Sequence, residues 1–318
     1  MNPARTSERT TMATETQSNR PHLYVASADK TDEDELLGQF IPIHYHYQML
    51  QQEPRIGGFE KAINAVVRPG MNVLELGCGS GVLSFFSARA GATKVYTVER
   101  LPHVARAARG FLDANGVGDR VEVVNADGFG YLPPEPVDVV VCEMLHTAML
   151  REKQLAIIKS FKDRYLAKFG GPLPLFIPEA AVLGMQLVFT NYDFHGYEAA
   201  VPMFVDGSGN GDRVTNLADP ALYSSFLYSD DYSTMFDVDQ EIEIGITGLV
   251  NGVRLITKNL LAILESEGRS IDWDMHDLIL PISKPFAVMA GELVRVRFRY
   301  EAGDSLLALA ESIDGRRL

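Results

Sequence analysis

Two carboxylates flank a short loop after an apolar stretch. VVV at 139–141 is followed by Cys142, then Glu143, and Glu152 comes nine residues later. A carboxylate at the end of a buried strand is costly unless something satisfies its charge. Two such groups can grip an N–H-bearing cation through charge-assisted hydrogen bonds and orient one of its nitrogens. Either acid can also take up a departing proton. His146 lies between them and is a further candidate base. Structural roles compete with this reading. Glu152 could be a first-turn carboxylate of a helix starting at REKQLAIIK, favoured by the helix dipole. His146 could be a satisfied loop histidine, and Glu143 could be structural.

A second cluster precedes them. VLELGCGSG places Gly77, Gly79 and Gly81 between an apolar strand and a helix, with Glu75 two residues before the first glycine. Such a turn lets backbone approach a ligand closely. A dinucleotide loop would have its third glycine where Val82 stands. The observed spacing favours S-adenosylmethionine (SAM), with an ordinary glycine turn and NAD(P) as the alternatives. Glu99 ends the next strand, where it can accept from both ribose hydroxyls. Asp127, in NADG, stands where it can meet an adenine amino group.

The elements that position these residues follow a clear grammar. Residues 1–33 are polar and predict a disordered tail. Residues 34–70 predict a helical lid, with apolar groups three and four apart up to the RPG stop. Residues 71–178 alternate strand and helix, as a parallel sheet covered on both faces requires. From 179 to 318 the pattern becomes AVLGMQLVF, EIEIGIT, NLLAILE, DLILPI and LVRVRFRY, which predicts an antiparallel, barrel-like or sandwich domain. VDGSGNGDRVTNLADP at 205–220 predicts a long loop. Arg295, Arg297 and Arg299 share one face of the last strand and predict a solvated face.

Residues 71–145 therefore resemble a class I SAM-dependent methyltransferase. A fourth strand ending in Glu, with a second Glu nine residues on, is similar to the double-glutamate loop of the protein arginine methyltransferases. HYQMLQQEPR resembles that family's H-x-x-M-L segment, and SIDWDMH stands at the place of its T-H-W loop. The resemblance covers roughly 40–300. It implies His46 and Met49 as cofactor contacts, Arg55 as partner of the methionine carboxylate, and Trp273 and Asp272 at the substrate site. It also implies a homodimer through an arm near 195–235. The chain departs from the family at Cys142, Leu145, His146 and Asp272, which widens the acceptor to a guanidine, amine or amide nitrogen on a protein or small molecule.

Composition narrows the alternatives. The net charge is −13 and the pI near 5.0, which disfavours broad phosphate-backbone binding. The strand end CEML also differs from the D/N-P-P-Y/F of amino-directed base methyltransferases, so base methylation is the weaker enzymatic alternative. A non-catalytic scaffold is the other. The two cysteines, Cys78 and Cys142, predict buried reduced thiols and a cytoplasmic setting. His44 and His46 lack the further ligands of a metal site, and no apolar run reaches membrane-spanning length.

Overall fold

The computed structural model describes residues 43–206 and 213–317. The tail at 1–33 and the lid's first residues, 34–42, lie outside the described residues. The lid begins with α1 (Ile43–Leu50) and α2 (Glu53–Val66). Pro54 opens α2, where its missing N–H costs nothing. Phe59, Ala62 and Ile63 are buried on one face of this helix.

The chain then alternates β1 (Asn72–Leu76), α3 (Val82–Arg89), β2 (Lys94–Glu99), α4 (Pro102–Ala114), β3 (Val121–Asn125), β4 (Val139–Cys142), α5 (Gln154–Phe169) and β5 (Leu175–Ile177). These strands form one parallel sheet in the order β3-β2-β1-β4-β5. It is a Rossmann-like arrangement. Val139, Val140 and Val141 are fully buried, as an apolar strand at the sheet's interior demands. The winding reverses between β1 and β4, which opens a crevice beyond their C-terminal ends. The glycine turn leaves β1 there, and Glu143 leaves β4 there.

The remainder is antiparallel. It comprises β6 (Ala180–Thr190), β7 (Asp193–Phe194), β8 (Tyr197–Glu198), β9 (Met203–Val205), β10 (Val214–Asn216), β11 (Ala221–Leu227), β12 (Met235–Glu243), β13 (Gly248–Leu264), β14 (Arg269–Asp274), β15 (Asp277–Val288), β16 (Leu293–Glu301), a short α6 (Leu306–Ser312) and β17 (Asp314–Arg317). One sheet runs β10-β6-β13-β15-β9, with β11 added on β6 and β14 on β13, and a second runs β12-β16-β17. This gives the expected α/β fold with a helical lid and a barrel-like antiparallel part. A single apolar cluster joins the parallel sheet to the antiparallel strands.

Several local expectations shift. The alternation of β12 starts at Met235, well before EIEIGIT, because FDVDQEIE already faces in and out by turns. Within the expected loop at 205–220, Val214–Asn216 pairs with β6. Helix α5 starts at Gln154, so Glu152 lies in the preceding loop and is not a first-turn carboxylate. Arg295 and Arg297 do lie on an outer face, but both pair with Asp239 across β12, at 2.6 and 3.0 Å.

Candidate functional site

The glycine turn is shaped by backbone demands. Gly77, Gly79 and Gly81 all have positive φ, a region in which side chains are strained. A Cβ on Gly79 would stand 2.8 Å from the His46 ring, so the lid helix closes directly onto the turn. Gly81 caps α3 and packs toward Leu112; it supports the turn from behind.

Acids brace this turn from two sides. Glu75 is buried and accepts hydrogen bonds from the Ser84 and Thr97 hydroxyls, the latter at 2.8 Å. Burial outweighs those bonds and pushes its pKa up to about 7. Glu99 accepts the N–H of Gly79 at 3.1 Å and of Leu101 at 2.8 Å, one on each oxygen. Asp127 accepts the Phe129 N–H at 2.8 Å, a turn-forming bond that fixes its carboxylate.

A cavity of about 600 Å³ lies above the turn. Its lining brings together His46, Met49, Arg55, Glu75, Gly77, Gly79, Glu99, Asp127, Glu143, His146, Glu152 and Trp273 from the sequence expectations. His46 and Met49 reach it from one face of α1, three residues apart. Burial lowers the His46 pKa, with Glu99 opposing and Arg55 adding to the effect.

Arg55 forms an ion pair with Glu143, and both side chains are largely buried. The guanidinium lies 5.8 Å from the centre of the Trp273 ring. Phe59, one turn further along α2, meets the same ring edge-on at 6.0 Å. Trp273 is thus a platform shared by the lid and the cavity. Burial lowers the Arg55 pKa to about 10, with Glu152 opposing, so it stays charged at neutral pH. Glu152 accepts no hydrogen bond among the described residues. Its pKa is raised to about 7 by burial, against the pull of Arg55 and Arg151.

The loop carrying these acids is tied down throughout. Met144 N–H donates to Gln154 Oε1 at 2.7 Å, and Gln154 donates to the Tyr228 hydroxyl at 3.1 Å. His146 Nδ1 meets the Thr147 carbonyl at 3.1 Å, a contact in which Nδ1 donates. Burial brings the His146 pKa down to about 4, so the ring is neutral at physiological pH.

Asp272, expected at the acceptor site, does not line the cavity. It sits on β14 and pairs with Lys258 at 2.7 Å. Phe204, Met275 and His276 do line it, and the sequence had not singled them out. Phe204 is half-exposed and meets the His146 ring edge-on at 5.6 Å. The sequence holds only the weak signal of an aromatic flanking a polar loop. Cys78 and Cys142 are buried free thiols, and burial pushes both pKa values up. Among the described residues no His, Cys, Asp and Glu cluster could hold a metal, and no helix is long and apolar enough to cross a membrane.

The parallel sheet with a three-glycine turn and a crevice at its switch point has the fold of the class I SAM-dependent methyltransferases, and the sequence comparisons agree. Residues 60–162 match the family model for ribosomal protein L11 methyltransferase (PrmA). Within the class, the chain is similar to the protein arginine N-methyltransferases. It is 32% identical over 158 residues to protein arginine N-methyltransferase 6 of Xenopus laevis, covering 49% of this chain and 45% of that protein. The match thus spans about half of this chain and under half of that relative. A protein of Methanocaldococcus jannaschii, described as uncharacterised, is 26% identical over 264 residues, covering 82% of this chain and 93% of that one. A solved PRMT1 enzyme–prozyme complex of Trypanosoma brucei shares the fold, with a TM-score of 0.68 at 18% identity, covering 87% of this chain and 98% of that one.

Proposed function

We propose that the chain transfers a methyl group from SAM to a guanidine, amine or amide nitrogen held between Glu143 and Glu152. The observation that carries this reading is one cavity that joins the glycine turn and Glu99 to both acids. SAM, when bound, supplies an electrophilic methyl group on a sulfonium. Gly79 lines the cavity with backbone alone, since a Cβ there would meet the His46 ring at 2.8 Å, and a bare backbone turn fits such a cofactor. Glu99 would take the ribose hydroxyls with the lone pairs left free by its two backbone donors. Asp127 would accept from the adenine amino group. Arg55 would hold the methionine carboxylate.

The two acids then have different tasks. Glu143, fixed by Arg55, orients the acceptor nitrogen. Glu152 carries a pKa of about 7 and suits removal of the proton that the nitrogen gives up. Neutral His146 adds an uncharged wall beside them, which avoids repelling a cationic acceptor. The similarity to arginine methyltransferases makes a guanidine on a protein the first acceptor to try. A homodimer through residues 195–235 belongs to the same reading; Tyr197 and Leu222 in that segment are exposed.

The test uses SAM labelled in its methyl group with an arginine peptide, free arginine, a lysine peptide and an amide. Label on a nitrogen acceptor, lost in Glu143→Gln and Glu152→Gln, is the expected result. Absence of SAM binding by calorimetry, or undiminished turnover in both variants, overturns the proposal.

A further inference from the structure

We infer that Thr257, on β13, is a positioning residue that holds the acidic loop in its strained conformation from across the fold. The inference rests on the methyltransferase reading for its activity readout alone. Four non-glycine residues among those described have positive φ, and three of them, Ala148 (58°), Met149 (57°) and Arg151 (60°), lie just before Glu152. Such conformations persist only where the surroundings enforce them. Local support is slight: the 3-10 turn at Thr147–Met149 has no side-chain cap, and its short-range main-chain bonds, such as Met149 N–H to the His146 carbonyl at 2.9 Å, leave the Ala148 and Arg151 N–H groups to partners from elsewhere in the chain.

The enforcing contacts come from the antiparallel part. Thr257 Oγ1 accepts the Ala148 N–H at 2.7 Å, and both residues are buried. Thr147 Oγ1 donates to the His276 carbonyl at 2.7 Å. The turn after β16 adds two main-chain bonds, Gly303 N–H to the Met149 carbonyl and Arg151 N–H to the Asp304 carbonyl, each 2.8 Å. Only the first of these four ties has a side-chain acceptor for the buried N–H of a strained residue. Replacing that hydroxyl by a methyl group keeps the volume and orphans the donor. Relaxing the loop would move Glu152. The cofactor side of the cavity, built on β1, β2 and the lid, would stay in place.

Thr257→Val is therefore expected to lower kcat roughly 10- to 100-fold, the size of effect an ångström of misplacement produces, while the affinity for SAM changes by less than about twofold. Thr257→Ser, which keeps the acceptor oxygen, is expected to recover most of the rate. Hydrogen exchange at the Ala148 and Arg151 amides gives a readout that needs no activity: faster exchange in Thr257→Val, near wild-type exchange in Thr257→Ser. Wild-type kcat and protection in Thr257→Val, or equal loss in the Ser and Val variants, overturns the inference. If Thr257→Val does not fold, Thr147→Val, which removes the neighbouring tie, is expected to show the same kcat-selective fall, and unchanged kcat there overturns it. A wild-type protein that transfers no methyl group while Thr257→Val deprotects Ala148 refutes the methyltransferase reading and leaves the tie standing.

Discussion

Arg55 of the lid and Glu143 at the end of β4 are joined in a largely buried ion pair 88 residues apart in sequence. The pair ties helix α2 of the lid to the acid that leaves β4. Removing one partner from such a site leaves an uncompensated charge, whereas removing both does not. Arg55→Met and Glu143→Met are each expected to lose ~3 kcal/mol of folding stability. The double variant should lose clearly less than their sum in urea unfolding. Additive losses would show that the two groups act independently.

Under the proposed role as proton acceptor, Glu152 should set an acid limb on the rate. Its pKa lies at about 7 against an ordinary 4.5, and only the ionised form accepts a proton. The rate with saturating substrates should rise with pH and level off above about 7, by roughly tenfold per unit on the rising side. Glu152→Gln should remove that limb along with most of the activity. A flat wild-type profile between pH 5.5 and 8 (on the order of the window the shift covers) would exclude the assignment.

Glu75 couples stability to pH. Its folded pKa is about 7 against an ordinary 4.5. Between those values the folded protein holds a proton that the unfolded chain has released. Its contribution to stability is thus fully present below the unfolded pKa and is lost as pH rises through the folded one. His146 acts with the opposite sign over an overlapping window, adding stability as pH rises from its folded pKa of about 4 to its ordinary 6.5. Comparison with Glu75→Gln isolates the term: the variant should gain on wild type as pH rises from about 4.5 to above 7. An unchanged difference in melting temperature across that range would contradict the burial argument.

Two glycines should respond in opposite directions. Gly79→Ala places a Cβ 2.8 Å from the His46 ring at a positive φ and should weaken SAM binding at least about tenfold, as backbone strain and the displaced His46 ring combine. Gly110 lies inside α4 with nothing within 4 Å of its missing Cβ. Gly110→Ala should stabilise the protein by ~0.5–1 kcal/mol through helix propensity. Calorimetry and thermal melts read the two effects.

Asp272→Asn should leave kcat within about threefold of wild type, because the carboxylate is committed to Lys258 and lies off the cavity wall; exposed or half-exposed pairs of this kind contribute little. A large kcat loss with intact folding would return Asp272 to the acceptor site.

Much of the architecture was legible because it is encoded locally. Strand-helix alternation, the three positive-φ glycines and the nine-residue spacing of Glu143 and Glu152 depend on neighbours in the chain, and periodicity reports them directly. Helix α6 and strand β17 were missed because both are short and lean on β16 for their stability. The start of α5 was misplaced for a related reason: the antiparallel part holds the preceding residues in left-handed backbone that a local pattern does not specify.

What the sequence determined alone, then, is the crevice and the residue types delivered to its rim. Tertiary structure decided their pairings: Arg55 with Glu143, Asp272 turned to Lys258, Phe204 against His146, and Thr257 under the acidic loop. The physical reason is that side-chain partnership and desolvation are set by distance in space. These four pairs join positions from 14 to 109 residues apart, and no periodicity in the chain carries that information.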